Sequence, residues 1–251
     1  MYRLKILLIF ILASSCSSKK NIQYVQNINM QEQYNNIYSN HTINVDDILK
    51  IDVTSIEPLL TQQFNTNNST NSISNKESML YNGYLVNSEG YINFPVIGKI
   101  MVIGKTLDEC RTAIKSKIED TGILINPTVD VKLLNAHFTV LGEVNRPGRY
   151  EYLKNNMNIF TALGIAGDLT INGKRKEIKI IRDQNGKKSI SEIDITNTDF
   201  LKTNYQIFSG DVIIVKPNNN RVKNAGIIGN SGTLLSLLSF VLSSIIVISN
   251  N

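Results

Sequence analysis

The stretch that most constrains this chain is Phe138 to Tyr150. An apolar strand pattern, Phe138 to Leu141, runs into Gly142-Glu143-Val144. Pro147-Gly148 follows, and a second strand pattern begins around Arg149 to Tyr152. Proline presets φ at about −65° in the second position of a turn, and glycine accepts the positive φ that a type II turn then requires. Pro147-Gly148 is therefore expected to form a tight turn with Gly148 at positive φ. The stretch joins two kinds of sequence. Before it lies a strand-rich block with one helix. After it come a short helix, Asn158 to Ala166, and more strands. The expected class is α+β, with two small strand-rich domains and a hydrophobic helix at the C-terminal end.

The 251 residues suit one or two modest domains plus appendages. Net charge is +5, but Arg3 and Lys5 lie in a segment expected to be removed, and no acidic residue precedes Cys16. The remaining 24 basic and 21 acidic residues leave +3, too weak a bias to indicate a nucleic-acid partner.

Arg3 and Lys5 form a short positive region, and Ile6 to Leu12 is an apolar run too short to span a bilayer. Ala13-Ser14-Ser15-Cys16 follows. Residues 1–15 thus resemble a lipoprotein signal, with Cys16 acylated, by palmitate among others, as the first residue after cleavage. Ala13 stands where such signals usually carry Leu, and Leu12 lies one place further back. An ordinary secretory signal cut near Ala13 or Ser15 is the alternative. On either reading the chain leaves the cytoplasm. With cleavage before Cys16, the two cysteines are an acylated Cys16 and Cys110, which excludes an intrachain disulfide framework. Residues 16–40 are polar with scattered tyrosines and read as a tether.

Residues 41–134 form the first folded block. Leu49, Ile51 and Val53 alternate with Lys50 and Asp52, placing three apolar side chains on one strand face. Thr61 to Ser78 is nearly all Asn, Ser, Thr and Gln and is expected to be a mobile loop without core residues. Tyr84 to Val86 and Tyr91 to Phe94 flank Asn87-Ser88-Glu89-Gly90 and are expected to pair as a hairpin. Thr106-Leu107-Asp108-Glu109 has the spacing of a capping box. The helix it starts places Leu107, Cys110, Ile114 and Ile118 on one face, so Cys110 reads as a core residue, and Gly122 lies just past its end.

These residues carry a resemblance. Ile43 to Val53, Gly83 to Gly98 and Val102 to Thr106 are similar to the export domain of outer-membrane polysaccharide export lipoproteins. That family's pattern is G-x-I-x-x-P-x-I-G and then G-x-T opening a helix. Gly90, Ile92, Pro95, Ile97, Gly98, Gly104 and Thr106 match it in order. Phe138 to Arg182, with Val140 to Val144 and Pro147-Gly148, resembles the soluble-ligand-binding β-grasp module that follows in the family. The resemblance covers roughly Ile43 to Pro217.

Residues 135–217 form the second block. Asn158 can cap a short helix facing a core with Ile159, Ala162, Leu163 and Ala166. Asn185-Gly186 between two strand patterns signals a hairpin. Lys174, Arg175 and Lys176 read as a solvated loop, with a sugar or phosphate contact as the alternative. Residues 224–249 carry no charge and are expected to form a transmembrane helix. Ser236, Ser239 and Ser243 share one face, which suits close helix packing in lipid. Bonds from these serines to their own backbone are the alternative.

No catalytic constellation stands out, and the chain is expected not to be an enzyme. Gly98 and Gly104 are separated by five residues where a phosphate loop needs four. His41 and His137 lack companion ligands, so neither a metal nor a cofactor is expected.

The resemblance implies an outer-membrane lipoprotein whose body is periplasmic. It would be a subunit of a ring-shaped homo-oligomeric channel exporting capsular or exopolysaccharide. An inner-membrane chain-length or tyrosine-kinase component would be its partner. One helix per subunit cannot enclose a lumen, so a channel needs a ring. The alternative is a membrane-anchored periplasmic sugar-binding β-grasp receptor without channel activity.

Overall fold

The computed structural model describes residues 21–27, 39–65, 82–153, 156–184, 186–199, 206–219, 221 and 231–249. Cys16 and residues 66–78 of the polar run lie outside them. The class is α+β. The first core is built on β1 (Ile48–Thr54), α1 (Pro58–Thr61), β2 (Tyr84–Leu85), β3 (Tyr91–Phe94), β4 (Gly98–Met101), α2 (Leu107–Asp120) and β5 (Thr128–Leu133). The second uses β6 (His137–Gly142), β7 (Gly148–Glu151), β8 (Met157–Asn158), α3 (Ile159–Ile165), β9 (Ile178–Gln184), β10 (Lys187–Ile193), β11 (Gln206–Ile207) and β12 (Val212–Val215). A last helix, α4, is Ser231–Ser249.

In the first core, alternation places Leu49, Ile51 and Val53 inward against Cys110, Ile114 and Ile118 of α2. Helix α2 starts at a complete capping box. Glu109 N–H donates to the Thr106 hydroxyl, and the Thr106 N–H donates to the Glu109 carboxylate at 2.8 Å. Gly122, at φ +70°, follows its end. The expected hairpin does not form. β2 pairs with β1, giving the sheet order β2-β1-β5, while β3 pairs with β4. Asn87 explains the break. Its side-chain oxygen accepts from the N–H groups of Glu89 and Tyr91, which shapes a tight turn between strands of different sheets. The polar run also contributes to the core. Phe64 is fully buried, and the Asn65 side chain bonds both the N–H and the carbonyl of Val53, at 2.9 and 2.8 Å.

The second core carries a five-stranded sheet in the order β10-β9-β12-β6-β7, with β12 parallel to β6 and the other pairs antiparallel. Gln184 pairs with Lys187 across the expected two-residue turn. The Asn158 side chain caps α3 by accepting from Thr161 N–H at 2.8 Å.

The Pro147-Gly148 turn needs correction. Gly148 is not among the glycines at positive φ; it opens β7 opposite Val140. The reversal is spread over Gly142 to Pro147, because that loop wraps the C-terminal end of α3. Arg146 N–H donates to Ala166 O, the Arg146 guanidinium to Ile165 O, and the Asn145 side chain to Gly167 O. These bonds satisfy carbonyls that a helix end leaves without partners. The glycine that the backbone requires is Gly142, at φ +93°, where an added Cβ would lie 2.0 Å from Val215 O. That oxygen already accepts from Glu143 N–H at 2.9 Å. Gly142→Val is expected to cost at least about 3 kcal/mol, combining backbone strain with a clash against main chain. At Gly148 the nearest atom to an added Cβ is 4.0 Å away. Gly148→Val is accordingly expected to stay within about 1 kcal/mol of the parent. Chemical denaturation of both variants checks the contrast, and equal losses would refute it.

Two further expectations change. Part of the tether is docked. Val25 and Gln26 N–H groups donate to Ile195 O and Thr196 O, and the Tyr24 hydroxyl donates to Asp168 at 2.5 Å. Arg175 is also not solvated. It is 5% exposed, lies over the Tyr24 ring at 5.2 Å, and donates to the carbonyls of Thr170 and Gly173.

Two carboxylates predict an acid response. The Glu109 carboxyl is held below its ordinary value of 4.5, chiefly by the Thr106 N–H. Glu177 is lowered likewise, by Lys174 and then Lys216. A lowered folded pKa gives stability that is present above the unfolded value and lost as pH falls through the folded one. Melting temperature should therefore decline as pH falls below 4.5. A Glu109→Gln/Glu177→Gln variant should decline less; an equal decline would assign the loss to other groups.

The expected transmembrane helix over 224–249 is described only as α4, because residues 222–230 lie outside the described set. Its 19 residues span about 28 Å at 1.5 Å per residue, against about 30 Å for a bilayer core. Among the described residues no helix is long and apolar enough to cross a membrane. Ser239 and Ser243 donate to the carbonyls four residues earlier, both at 2.8 Å, which is the backbone-bonded alternative for these serines.

Candidate functional site

The two cores meet at the connection Leu134 to His137. Asn135 fixes it to the first core by imitating a strand neighbour. Its side-chain oxygen accepts from Ile48 N–H at 2.9 Å, and its side-chain nitrogen donates to Asp46 O at 2.8 Å. His137 begins β6, and its backbone carbonyl accepts from Gly210 N–H at 2.8 Å. The connection therefore bonds to both sides within four residues.

A polar seam runs beside it. Arg182 on β9 donates from Nε to Asp211 Oδ1 at 2.8 Å and from Nη2 to Oδ2 at 2.7 Å. Nη2 also reaches Gln206 O at 2.8 Å. Asp211 is fully buried and accepts a further bond from Phe208 N–H. The guanidinium lies over the Phe208 ring at 4.1 Å, and the His41 ring packs near the same phenyl at 5.9 Å. His41 Nε2 approaches Asp47 Oδ2 at 3.8 Å, and that oxygen accepts from Asn44 N–H at 2.8 Å. Charge from both sides meets at Tyr152, whose phenol is pushed well above its ordinary value, first by burial and then by the Asp211 carboxylate. Arg182 opposes that shift, and Asp47 adds to it.

Next to the seam the two domains enclose an open cleft of about 640 Å³. Asn44, Val45, Asp47, Ile103 and Gly104 line it from the first domain. His137, Asp183, Gly186, Ser209 and Gly210 line it from the second. The volume falls within the range of ligand pockets. Gly104, Gly186 and Gly210 all sit at positive φ, so parts of the wall are bare backbone.

Cys16, the lipidation residue expected from sequence, lies outside the described residues. Cys110 is buried, and burial pushes its thiol up to about 11, which makes it an inert core residue. Sequence reasoning dismissed His41 and His137 as isolated and did not single out Arg182 or Asp211. The structure places all four at the junction. One signal was available: Arg182 continues the inward series Ile178, Ile180, and a cation in such a position requires a buried partner.

A family model described as polysaccharide biosynthesis/export protein matches residues 35–134, and an SLBB domain model matches residues 137–191. The chain belongs to the polysaccharide export family. Within it, two similar proteins both carry the name EPS I polysaccharide export outer membrane protein EpsA. The one from Ralstonia nicotianae is 35% identical over 104 residues, 40% of this chain and 27% of the relative. The one from Ralstonia solanacearum is 29% identical over 140 residues, 54% of this chain and 36% of the relative. The chain thus spans about a third of the length of the curated relatives it matches. The junction at Asn135 lies between the two family regions, so the seam and cleft are built where an export domain meets an SLBB domain.

Proposed function

We propose that this chain is an outer-membrane lipoprotein subunit of an oligomeric channel that exports capsular or exopolysaccharide. The observation that carries the reading is the order of the two family matches in this chain, export domain then SLBB domain, together with its similarity to relatives named for polysaccharide export at the outer membrane. Physical chemistry supports the rest. A long hydrophilic polymer cannot cross hydrocarbon, so export requires a closed aqueous path, and a chain of this size contributes to one by forming a ring. Cys16 holds the protein to the outer membrane by lipid, with the body in the periplasm.

Helix α4 carries Phe240 at 72% and Ile248 at 77% exposure, so its apolar side chains are covered by lipid or by further copies. Its length falls slightly short of an average bilayer core, and the bacterial outer membrane is thinner than average. An inner-membrane chain-length or tyrosine-kinase component delivers the polymer to the periplasmic side. No step in this role calls for catalysis by the chain.

The deciding experiment is the mass of the particle extracted in mild detergent, together with polymer export by a deletion strain carrying the gene. A ring-sized particle and restored export are expected. A monomer would favour a membrane-anchored sugar receptor. Labelling with a clickable fatty acid should be lost in Cys16→Ser; unchanged labelling would show that the lipid sits elsewhere or is absent.

A further inference from the structure

We propose that the cleft between the two domains binds an uncharged hexosyl segment of the polymer and disfavours acidic glycans. The inference deepens the export reading and rests on it for the identity of the physiological polymer.

The argument starts from the balance of donors and acceptors. Among the described residues, none that lines the cleft is a lysine or an arginine. Arg182, the cation nearby in the seam, is committed to Asp211 and to Gln206 O. The polar side chains that line the cleft offer more acceptors than donors. The Asn44 amide donates one N–H to Thr42 O at 3.2 Å, which leaves its carbonyl oxygen and its second N–H for a ligand. Asp183 uses Oδ1 to accept from Gly186 N–H at 3.0 Å, leaving Oδ2.

His137 follows the same logic. Its Nδ1 lies 3.0 Å from Asn135 O, a carbonyl that can only accept, so Nδ1 is the donor there and Nε2 is the nitrogen left for a ligand, an acceptor in that tautomer. The Ser209 hydroxyl oxygen takes the His137 N–H at 3.4 Å, which leaves its hydrogen to donate. Asp47 adds a second carboxylate on the opposite wall.

A site with many acceptors and few donors selects a ligand rich in donors. Sugar hydroxyls are donors at nearly every carbon. A uronate, sulfate or phosphate would bring negative charge against Asp47 and Asp183, the two charged side chains among the described lining residues, and like charges repel. Val45 and Ile103 supply the apolar patch that the C–H face of a sugar ring needs. The bare backbone at Gly104, Gly186 and Gly210 allows a bulky ring to approach closely, and an added Cβ at Gly186 or Gly210 would meet no atom within 4 Å. Because the walls come from both domains, a bound segment also bridges them.

The test uses the full chain in mild detergent, titrated with cellotetraose as the neutral probe and tetragalacturonate as the acidic one. Saturable binding of cellotetraose is expected, with tetragalacturonate at least tenfold weaker. Asn44→Ala/Asp183→Ala removes one acceptor from each wall, on residues outside both hydrophobic cores. It should weaken cellotetraose at least tenfold while leaving particle mass and melting temperature near the parent's. Asp183→Lys should narrow the gap between the two probes. Absence of saturable cellotetraose binding overturns the assignment, as does equal or tighter binding of tetragalacturonate or parental affinity in the double variant. If a protein that fails these titrations still restores polymer export, the cleft assignment falls and the export reading stands. If cellotetraose binds as expected but export is not restored, the export reading falls instead.

Discussion

Asp211→Ala is expected to lose about 3–5 kcal/mol of stability, the scale for removing one partner of a buried ion pair. The carboxylate is fully buried and receives Arg182 Nε, Arg182 Nη2 and Phe208 N–H. Alanine would leave a guanidinium whose side chain is 21% exposed without its counter-charge, and a buried N–H without an acceptor. Arg182→Ala should be at least as costly, because the carboxylate it strands has no contact with solvent. An Arg182→Met/Asp211→Leu double variant should lose less than the sum of the single losses, since apolar replacement of a whole pair avoids stranded charge. Denaturant unfolding of the four proteins measures this. A loss below about 1 kcal/mol in Asp211→Ala would mean the pair does not hold the seam. Phe208 and His41 stack from this guanidinium toward the first domain, so the same variant should also loosen the junction and weaken cellotetraose binding in the cleft.

How much of this was legible in the sequence depended on the range of the interaction. Periodicity located β1 and α2 and their buried faces, because alternation and the 3.6-residue repeat are properties of a few neighbouring residues. The capping box at Thr106 and the cap at Asn158 are local in the same sense. Pairing was not local. Tyr84-Leu85 and Tyr91 to Phe94 look like two arms of a hairpin, but β2 belongs to β1, some 35 residues earlier, and only the assembled sheet shows it. Gly148 was taken for the turn glycine because proline precedes it. The residue under constraint is Gly142, and the cause is the Val215 carbonyl, more than seventy residues away.

Composition misled in two places for a related reason. A polar run suggested an open loop, yet one phenylalanine within it, Phe64, was enough to pin Thr61 to Asn65 to the core. The Lys174-Arg175-Lys176 run suggested a solvated surface, yet Arg175 finds carbonyls and the Tyr24 ring, a partner supplied by the segment read as a tether. The cleft was not legible at all. Its ten described lining residues come from five separate stretches, and no local pattern relates one stretch to another.

Deleting Leu234 to Asn251 is expected to abolish polymer export while leaving a folded, lipid-anchored body. The reasoning begins with what the helix lacks. Leu234 to Ile248 contains no charged residue. Leu235, Phe240, Val247 and Ile248 are more than half exposed, so the described part of the chain gives them no cover. Burial of each large apolar side chain is worth about 1.5–3 kcal/mol, so the helix has a strong drive to enter lipid or to pack against other copies. On the proposed reading a lipid at Cys16 supplies attachment, and assembly in the membrane is the role proposed for the second apolar element.

Both hydrophobic cores lie upstream of the deletion, and the truncated chain should keep the parent's melting temperature. Its detergent particle should fall from ring mass to monomer. Phe240→Arg should have the same effect on export without shortening the chain: where α4 enters lipid, as proposed, a charge near its middle costs roughly 2.5–3.5 kcal/mol. Phe240→Leu should keep export and ring mass. If the truncated protein still exports polymer, the channel is assembled by the two folded domains alone, and α4 has no part in it.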